Sequence, residues 1–180
     1  MSKVRHRVFV SFHQEDKDEV DDFIKTFDEE RDVFIARALG TEMDPTIINS
    51  DDTDYVMQRI RDLYLKDSTV TAVLIGKCTW ARRYVDWEIQ ASLRHGEKTT
   101  PNGLLGILLP SMGNKATAPN RLSINLKGDN TDEKYARWHV YPTRKDSLAN
   151  WIDDAFQART SRADLIENPR DRFKYNKKCP

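Results

Sequence analysis

The sequence is short of several things that would settle its class at a glance. Cysteine occurs twice, at Cys78 and at the penultimate Cys179, too few for the disulfide framework of a small secreted domain. The two read as free thiols in a reducing cytoplasm. Glycine and proline number seven each among 180 residues, and no repeat, low-complexity block or linker divides the chain, so one domain is expected over residues 1–165, followed by a polar tail, 166–180. No apolar run approaches the roughly 20 residues of a membrane span, or the roughly 7–15 of a signal-peptide core. Net charge is missing too: 29 Lys and Arg meet 29 Asp and Glu. That balance excludes a strongly basic nucleic-acid binder and a disordered acidic segment.

The neutrality is uneven. Residues 1–90 carry 13 basic and 19 acidic side chains, and residues 91–180 carry 16 and 10. Opposite halves of this kind offer complementary surfaces for head-to-tail self-association. The tail interleaves Arg170, Arg172, Lys174, Lys177 and Lys178 with Phe173 and Tyr175. On a neutral chain that pattern reads as a solvated terminus rather than a nucleic-acid contact.

What the sequence does contain is an alternation. Strand-length apolar runs at Arg7–Phe12, Val33–Ala36, Val70–Gly76, Leu104–Leu109 and Trp138–Tyr141 alternate with helical stripes. The stripes are Val20/Phe23/Ile24/Phe27, Val56/Ile60/Leu63/Tyr64, Val85/Ile89/Ser92/Leu93 and Leu148/Trp151/Ile152/Ala155/Phe156. Asp16 with Glu19 reads as a capping box, Gly96 as a helix-ending residue, and the acidic stretch Gly40–Asp52 as a loop. Strand–helix alternation of this kind predicts a flavodoxin-like α/β three-layer sandwich, a mostly parallel sheet of about five strands with helices on both faces. Function in such folds gathers at the carboxyl ends of the strands.

Several sites for those strand ends are ruled out. Ser11-Phe12-His13-Gln14 after the first strand is no Gly-x-Gly-x-x-Gly turn, no Gly-x-x-x-x-Gly-Lys-Ser/Thr loop occurs, and the third strand ends in Ile75-Gly76-Lys77 where a phosphoacceptor domain would need an Asp. His6, His13, His95 and His139 share no ligand spacing with each other or with a cysteine, so no metal is assigned.

One segment remains, Cys78 to Ile89. It places Arg82 and Arg83 in the first turn of a helix, where the macrodipole disfavours cations and an anion would offset the cost. Guanidiniums reaching solvent or a nearby acid would do as well. Glu88 falls on the flank of the inward stripe, a position for a partly buried carboxylate with perturbed protonation, or for a boundary Glu paired with an Arg. Asp86 and Trp87 point elsewhere on the wheel, towards surface or interface.

Taken together, Arg7–His13 with Asp16, Val73–Gly76 and Arg82–Ile89 resemble the TIR-like family of small standalone bacterial proteins, which includes the signal-producing component of Thoeris anti-phage defence. The resemblance covers roughly residues 5–110 in motif. It implies a TIR fold and, in catalytic members, cleavage of the nicotinamide–ribose bond of NAD⁺, with a glutamate on the helix after the third strand, here Glu88, as the essential residue. NAD⁺ is then substrate and no cofactor is needed. The resemblance also implies a pocket lined by Ser11, Phe12 and His13, an ADP-ribose-derived signal, linear or cyclised, and a downstream effector protein that senses it. Arg82 or Arg83 would meet the pyrophosphate, and Phe12 or Trp80 would stack on a ring, although core packing is the stronger reading for both aromatics. Two other classes stay open: a catalytically silent TIR-like module that assembles with itself or a partner, and another nucleotide-handling domain.

Overall fold

Val70–Ile75 (β3) is buried at every position, as a parallel strand covered on both faces must be. It is central in a five-stranded, all-parallel sheet of order β2-β1-β3-β4-β5. The other strands are Arg7–Ser11 (β1), Ile35–Arg37 (β2), Gly103–Leu108 (β4) and Arg137–His139 (β5). This is the computed structural model of the chain, which describes residues 4–37, 43–126 and 133–180.

The order is that of the flavodoxin-like sandwich, and the chain reverses its direction across the sheet between β1 and β3. That pair is therefore the place where the fold opens a crevice at its carboxyl edge. The register there sets Val10 against Ala72 and Ser11 against Val73.

Alternation along β1 divides the core. Val8, Val10 and Phe12 join Val20, Phe23 and Phe27, and Leu148, Ile152 and Ala155, on one face. The last two groups belong to helix Lys17–Ile24 (α1) with the π-helical turn that extends it, Lys25–Glu30, and to helix Lys145–Ser161 (α6). Phe9 points the other way, into a cluster with Ile47, Val56, Met57, Ile60, Trp87 and Ala91. These come from helices Pro45–Ile48 (α2), Thr53–Ile60 (α3) and Arg83–Leu93 (α4). A short helix, Asn120–Ser123 (α5), packs beside α4.

Four local expectations are revised. Asp16 precedes α1, but its side chain makes no cap hydrogen bond. Glu19 instead accepts from the Ser111 amide at 2.9 Å and hydroxyl at 2.6 Å, so both members of the expected capping box serve tertiary contacts. Second, Asp44 and Asp52, part of the expected acidic loop, accept from Thr46 N and Tyr55 N as N-caps of α2 and α3; Gly40–Glu42 lie outside the described residues. Third, α3 ends in a π-helical turn, Arg61–Leu65. The wider turn moves Leu63 off the inward stripe to 43% exposure and buries Leu65. Fourth, Gly96 pairs with Thr99 in an isolated bridge rather than closing α4.

Candidate active site

α4 is anchored through polar groups that the inward stripe left unexplained. Ser92 Oγ donates to Glu88 O at 2.7 Å and lies 2.7 Å from Thr71 Oγ1, which receives Asn102 Nδ2 at 3.2 Å. At the same end of the helix, Arg61 donates to the Ala91 carbonyl at 2.7 Å. The helix is thereby fixed against β3, with Glu88 in its second turn.

Glu88 is 5% exposed. Burial pushes its carboxyl up to about 8, and the Ser11 hydroxyl pulls in the opposite direction. The pull is weak, because among the described residues neither Glu88 Oε2 nor Ser11 Oγ, both buried, has a well-formed hydrogen bond. Ser11 ends β1 two residues after Phe9, on the α3–α4 face of the sheet. An acid and a hydroxyl thus meet at the edge where the crevice is expected, each with hydrogen-bonding capacity unspent. Buried polar groups in that condition are uncommon and mark candidate functional sites.

A second acid sits at the same strand ends. The Asp16 carboxyl lies against Gly76, where any Cβ would overlap it, and is 3.5 Å from Thr79 Oγ1. Desolvation raises its pKa most; His13 and the Thr79 hydrogen bond lower it, while Glu19 and Glu15 add to the rise. The sequence carries a signal for this in a glycine closing an otherwise apolar strand, while the Asp16–Glu19 spacing points instead to a cap.

The remaining candidates divide. Phe12 is 9% exposed and belongs to the core cluster under α1 and α6, in keeping with the packing alternative. His13 is partly buried, with Nε2 3.4 Å from Glu15 Oε2. Trp80 sits in the 3₁₀ turn Thr79–Ala81, partly buried. Arg82 and Arg83 do lie at the start of α4, but they reach neither solvent alone nor an acid: Arg82 Nη2 donates to Lys177 O at 2.9 Å and Arg83 Nη1 to Lys174 O at 3.1 Å.

The profile of the family described as Thoeris protein ThsB, TIR-like domain, matches residues 9–114, more than half of the chain. The chain belongs to this family. Membership places this TIR-like protein in Thoeris anti-phage defence signalling. No curated protein matches the chain. The matched segment of the TIR-like domain holds Ser11, Glu88 and every other candidate above. It stops before α5, β5, α6 and everything after them.

Beyond the match, residues 166–180 do not trail into solvent. They run back along α4 as a strap. Gln90 Nε2 donates to Pro169 O at 3.2 Å and Arg170 O at 3.0 Å, Trp87 Nε1 to Phe173 O at 2.7 Å, and Lys177 N to Ala81 O at 2.8 Å. The strap, expected as a solvated terminus, corrects two further expectations. Asp86 and Trp87 are 4% and 2% exposed rather than at the surface, because Phe173 N and Arg121 Nε donate to the Asp86 carboxylate at 2.9 and 2.8 Å. Cys78 and Cys179, expected as free thiols, are joined in a disulfide, with Cα atoms 5.7 Å apart. Sequence separation concealed this pairing, since only the return of the strap brings the chain end to the loop after β3. Among the described residues no helix is long and apolar enough to cross a membrane.

Proposed function

We propose that the chain is an NAD⁺-cleaving TIR-like enzyme, releasing nicotinamide and an ADP-ribose-derived signalling nucleotide in anti-phage defence. The observation that carries this reading is the buried, incompletely hydrogen-bonded Glu88 carboxyl beside Ser11 at the carboxyl edge of β1 and β3. Family membership supports the biological setting.

The chemistry needs a carboxylate where positive charge develops. The C1′–N bond of the nicotinamide ribose breaks, its electron pair passes to the ring nitrogen, and neutral nicotinamide departs. The ribose is left oxocarbenium-like at C1′, next to a group that stabilises it electrostatically. Hydrolysis balances as NAD⁺ plus water giving ADP-ribose, nicotinamide and a proton; cyclisation replaces water by a nucleophile of the same nucleotide. In the free chain a carboxyl titrating near 8 is mostly protonated at neutral pH. The cationic nicotinamide ring of an arriving substrate favours the carboxylate, and Ser11 stands where it can donate to that anion. Substrate charge itself would thus switch Glu88 into its working form.

A second reading is favoured by one observation: Arg82 and Arg83, expected to meet a pyrophosphate, are engaged by the strap. A silent TIR-like module that assembles with itself or an effector would need neither. Both readings are separated by incubating concentrated chain with NAD⁺ beside Glu88→Gln, with and without extract of infected cells. Nicotinamide release by the wild type that exceeds the variant at least a hundredfold is expected. Equal release under every condition leaves the assembly module.

A further inference from the structure

The strap has two edges, and only one is occupied by α4. Its other edge faces the turn between α2 and α3, where Arg172 donates to Thr53 Oγ1 at 2.5 Å and Ser50 O at 2.9 Å. Arg170 pairs with Asp54 at 3.1 Å. Between these contacts lies an open cleft of about 1020 Å³, walled by strap residues 170–175 on one side and Ile48–Asp51 and Thr53 on the other, with Arg83 and Trp87 beneath.

Its charge is not balanced. Arg83, Arg170, Arg172 and Lys174 line it against Asp51 and Asp171, and Arg170 is already matched by Asp54. The Arg83 and Arg172 guanidiniums both lie over the Trp87 indole, 5.7 and 5.1 Å from its centroid, which puts them within about 11 Å of each other. Among the described residues every acceptor they engage is neutral: Lys174 O, Tyr84 Oη, Ser50 O and Thr53 Oγ1. Each guanidinium carries five N–H donors, so more than half of each fork is left for a ligand. Two like charges gathered on one ring, with no carboxylate among the described residues on either, form an attractive field for an anion that spans them. Planar forks match phosphate oxygens in pairs, which a single point charge does not.

We propose that this cleft is an anion-binding site for a diphosphate-bearing ligand, and that the Cys78–Cys179 disulfide raises its affinity by restraining the strap. It is separate from the Glu88–Ser11 site. Arg83 and Glu88 are five residues apart on α4, about 140° around the helix axis at ~100° per residue, and Glu88 faces Ser11. The site is half strap, so its affinity depends on the strap. A dithiol that reduces the bond delivers two electrons and two protons to the sulfurs, leaves two cysteine thiols, and is itself oxidised to a disulfide. Both sulfurs are at partly exposed residues, which admits such a reductant.

The test uses the full chain under non-reducing conditions, with inorganic pyrophosphate as the probe and calorimetry as the readout. One site per chain is expected. Arg172→Gln and Arg83→Gln should each weaken it at least tenfold, and Lys174→Gln, which removes one charge of the rim, about twofold. Cys179→Ser, or dithiothreitol on the wild type, should weaken it severalfold. Glu88→Gln should leave it unchanged. Melting curves without probe, and limited proteolysis of the strap, identify any arginine variant that has lost its strap; Lys174→Gln and the wild type with and without reductant then carry the test. No binding at millimolar pyrophosphate, or equal binding by Lys174→Gln and by both arginine variants with intact straps, overturns the site. Equal binding by Cys179→Ser overturns its dependence on the disulfide. A parallel loss in Glu88→Gln overturns its separateness and merges it with the pocket proposed for NAD⁺, whatever the outcome of the nicotinamide assay.

Discussion

Replacing Glu88 by Gln should stabilise the protein at neutral and alkaline pH, by an amount that grows with pH, and should not stabilise it near pH 4.5. Unfolded, the carboxyl releases its proton around 4.5; folded, burial holds the proton until about 8. Between those limits the folded chain binds more protons than the unfolded one, so this group makes stability fall as pH rises through the window. The cost is negligible below the unfolded value, about 3 kcal/mol at pH 7, and approaches about 5 kcal/mol above the folded value. Gln cannot ionise and escapes all of it. Its amide must find a partner in a site where Oε2 had none, which takes back about 1–2 kcal/mol at every pH. The difference between variant and wild type, read from urea unfolding at a series of pH values, should therefore widen by about 4 kcal/mol between pH 4.5 and pH 8. Titration of groups elsewhere is common to both proteins and cancels. A gap that stays constant to within about 0.5 kcal/mol across that range would refute the buried, protonated carboxyl. It would also remove the strongest physical ground for placing chemistry there.

Three further perturbations follow from the packing. Cys179→Ser opens a covalent loop with a sequence separation of 101 residues and should cost about 2–4 kcal/mol in denaturant unfolding at 25 °C; a loss below about 0.5 kcal/mol would mean that the bond does not form in solution. Arg121→Leu strands the Asp86 carboxylate, whose ion pair is 5% and 6% exposed, and should cost about 3–5 kcal/mol by the same measurement. It should also loosen the strap, since Arg121 donates to Pro169 O at 2.7 Å and Asp171 O at 2.6 Å, and protease cleavage in 166–180 would report that. Gly76→Ala drives a methyl into the Asp16 carboxyl and should lower stability by about 1–3 kcal/mol. A neutral Gly76→Ala would mean that Asp16 does not rest there.

The sheet was legible because its signal is local. Val70–Ile75 is apolar at nearly every position, and a strand with that composition has few places to be other than between two layers of helix. Glu88 was legible for a related reason, since the helical period places it beside Val85 and Ile89 whatever else the chain does. The failures share a different cause. Trp87 and Asp86 looked exposed because the helical wheel knows only the sheet side of α4; what covers them arrives from more than 80 residues away in the sequence. Cys78 and Cys179 looked unrelated for the same reason. Leu63 was misplaced by a single π-helical turn, which shifts a stripe by a residue without changing its composition. Asp16 and Glu19 have the spacing of a cap, but tertiary partners, Gly76 with Thr79 and Ser111, claim both side chains.

The disulfide also changes what it means to cut this chain. Cys78 and Cys179 enclose α4, β4, α5, β5 and α6 within one covalent ring, and the exposed turn around Gly113–Lys115 lies inside it. A protease that nicks that turn produces two polypeptides but one molecule, with the strap still tied to the loop after β3. Its fragments part only when a reductant is added. Cleavage and reduction together, neither alone, would then free the fragment that carries β5, α5, α6 and the strap from the one that carries β1–β4.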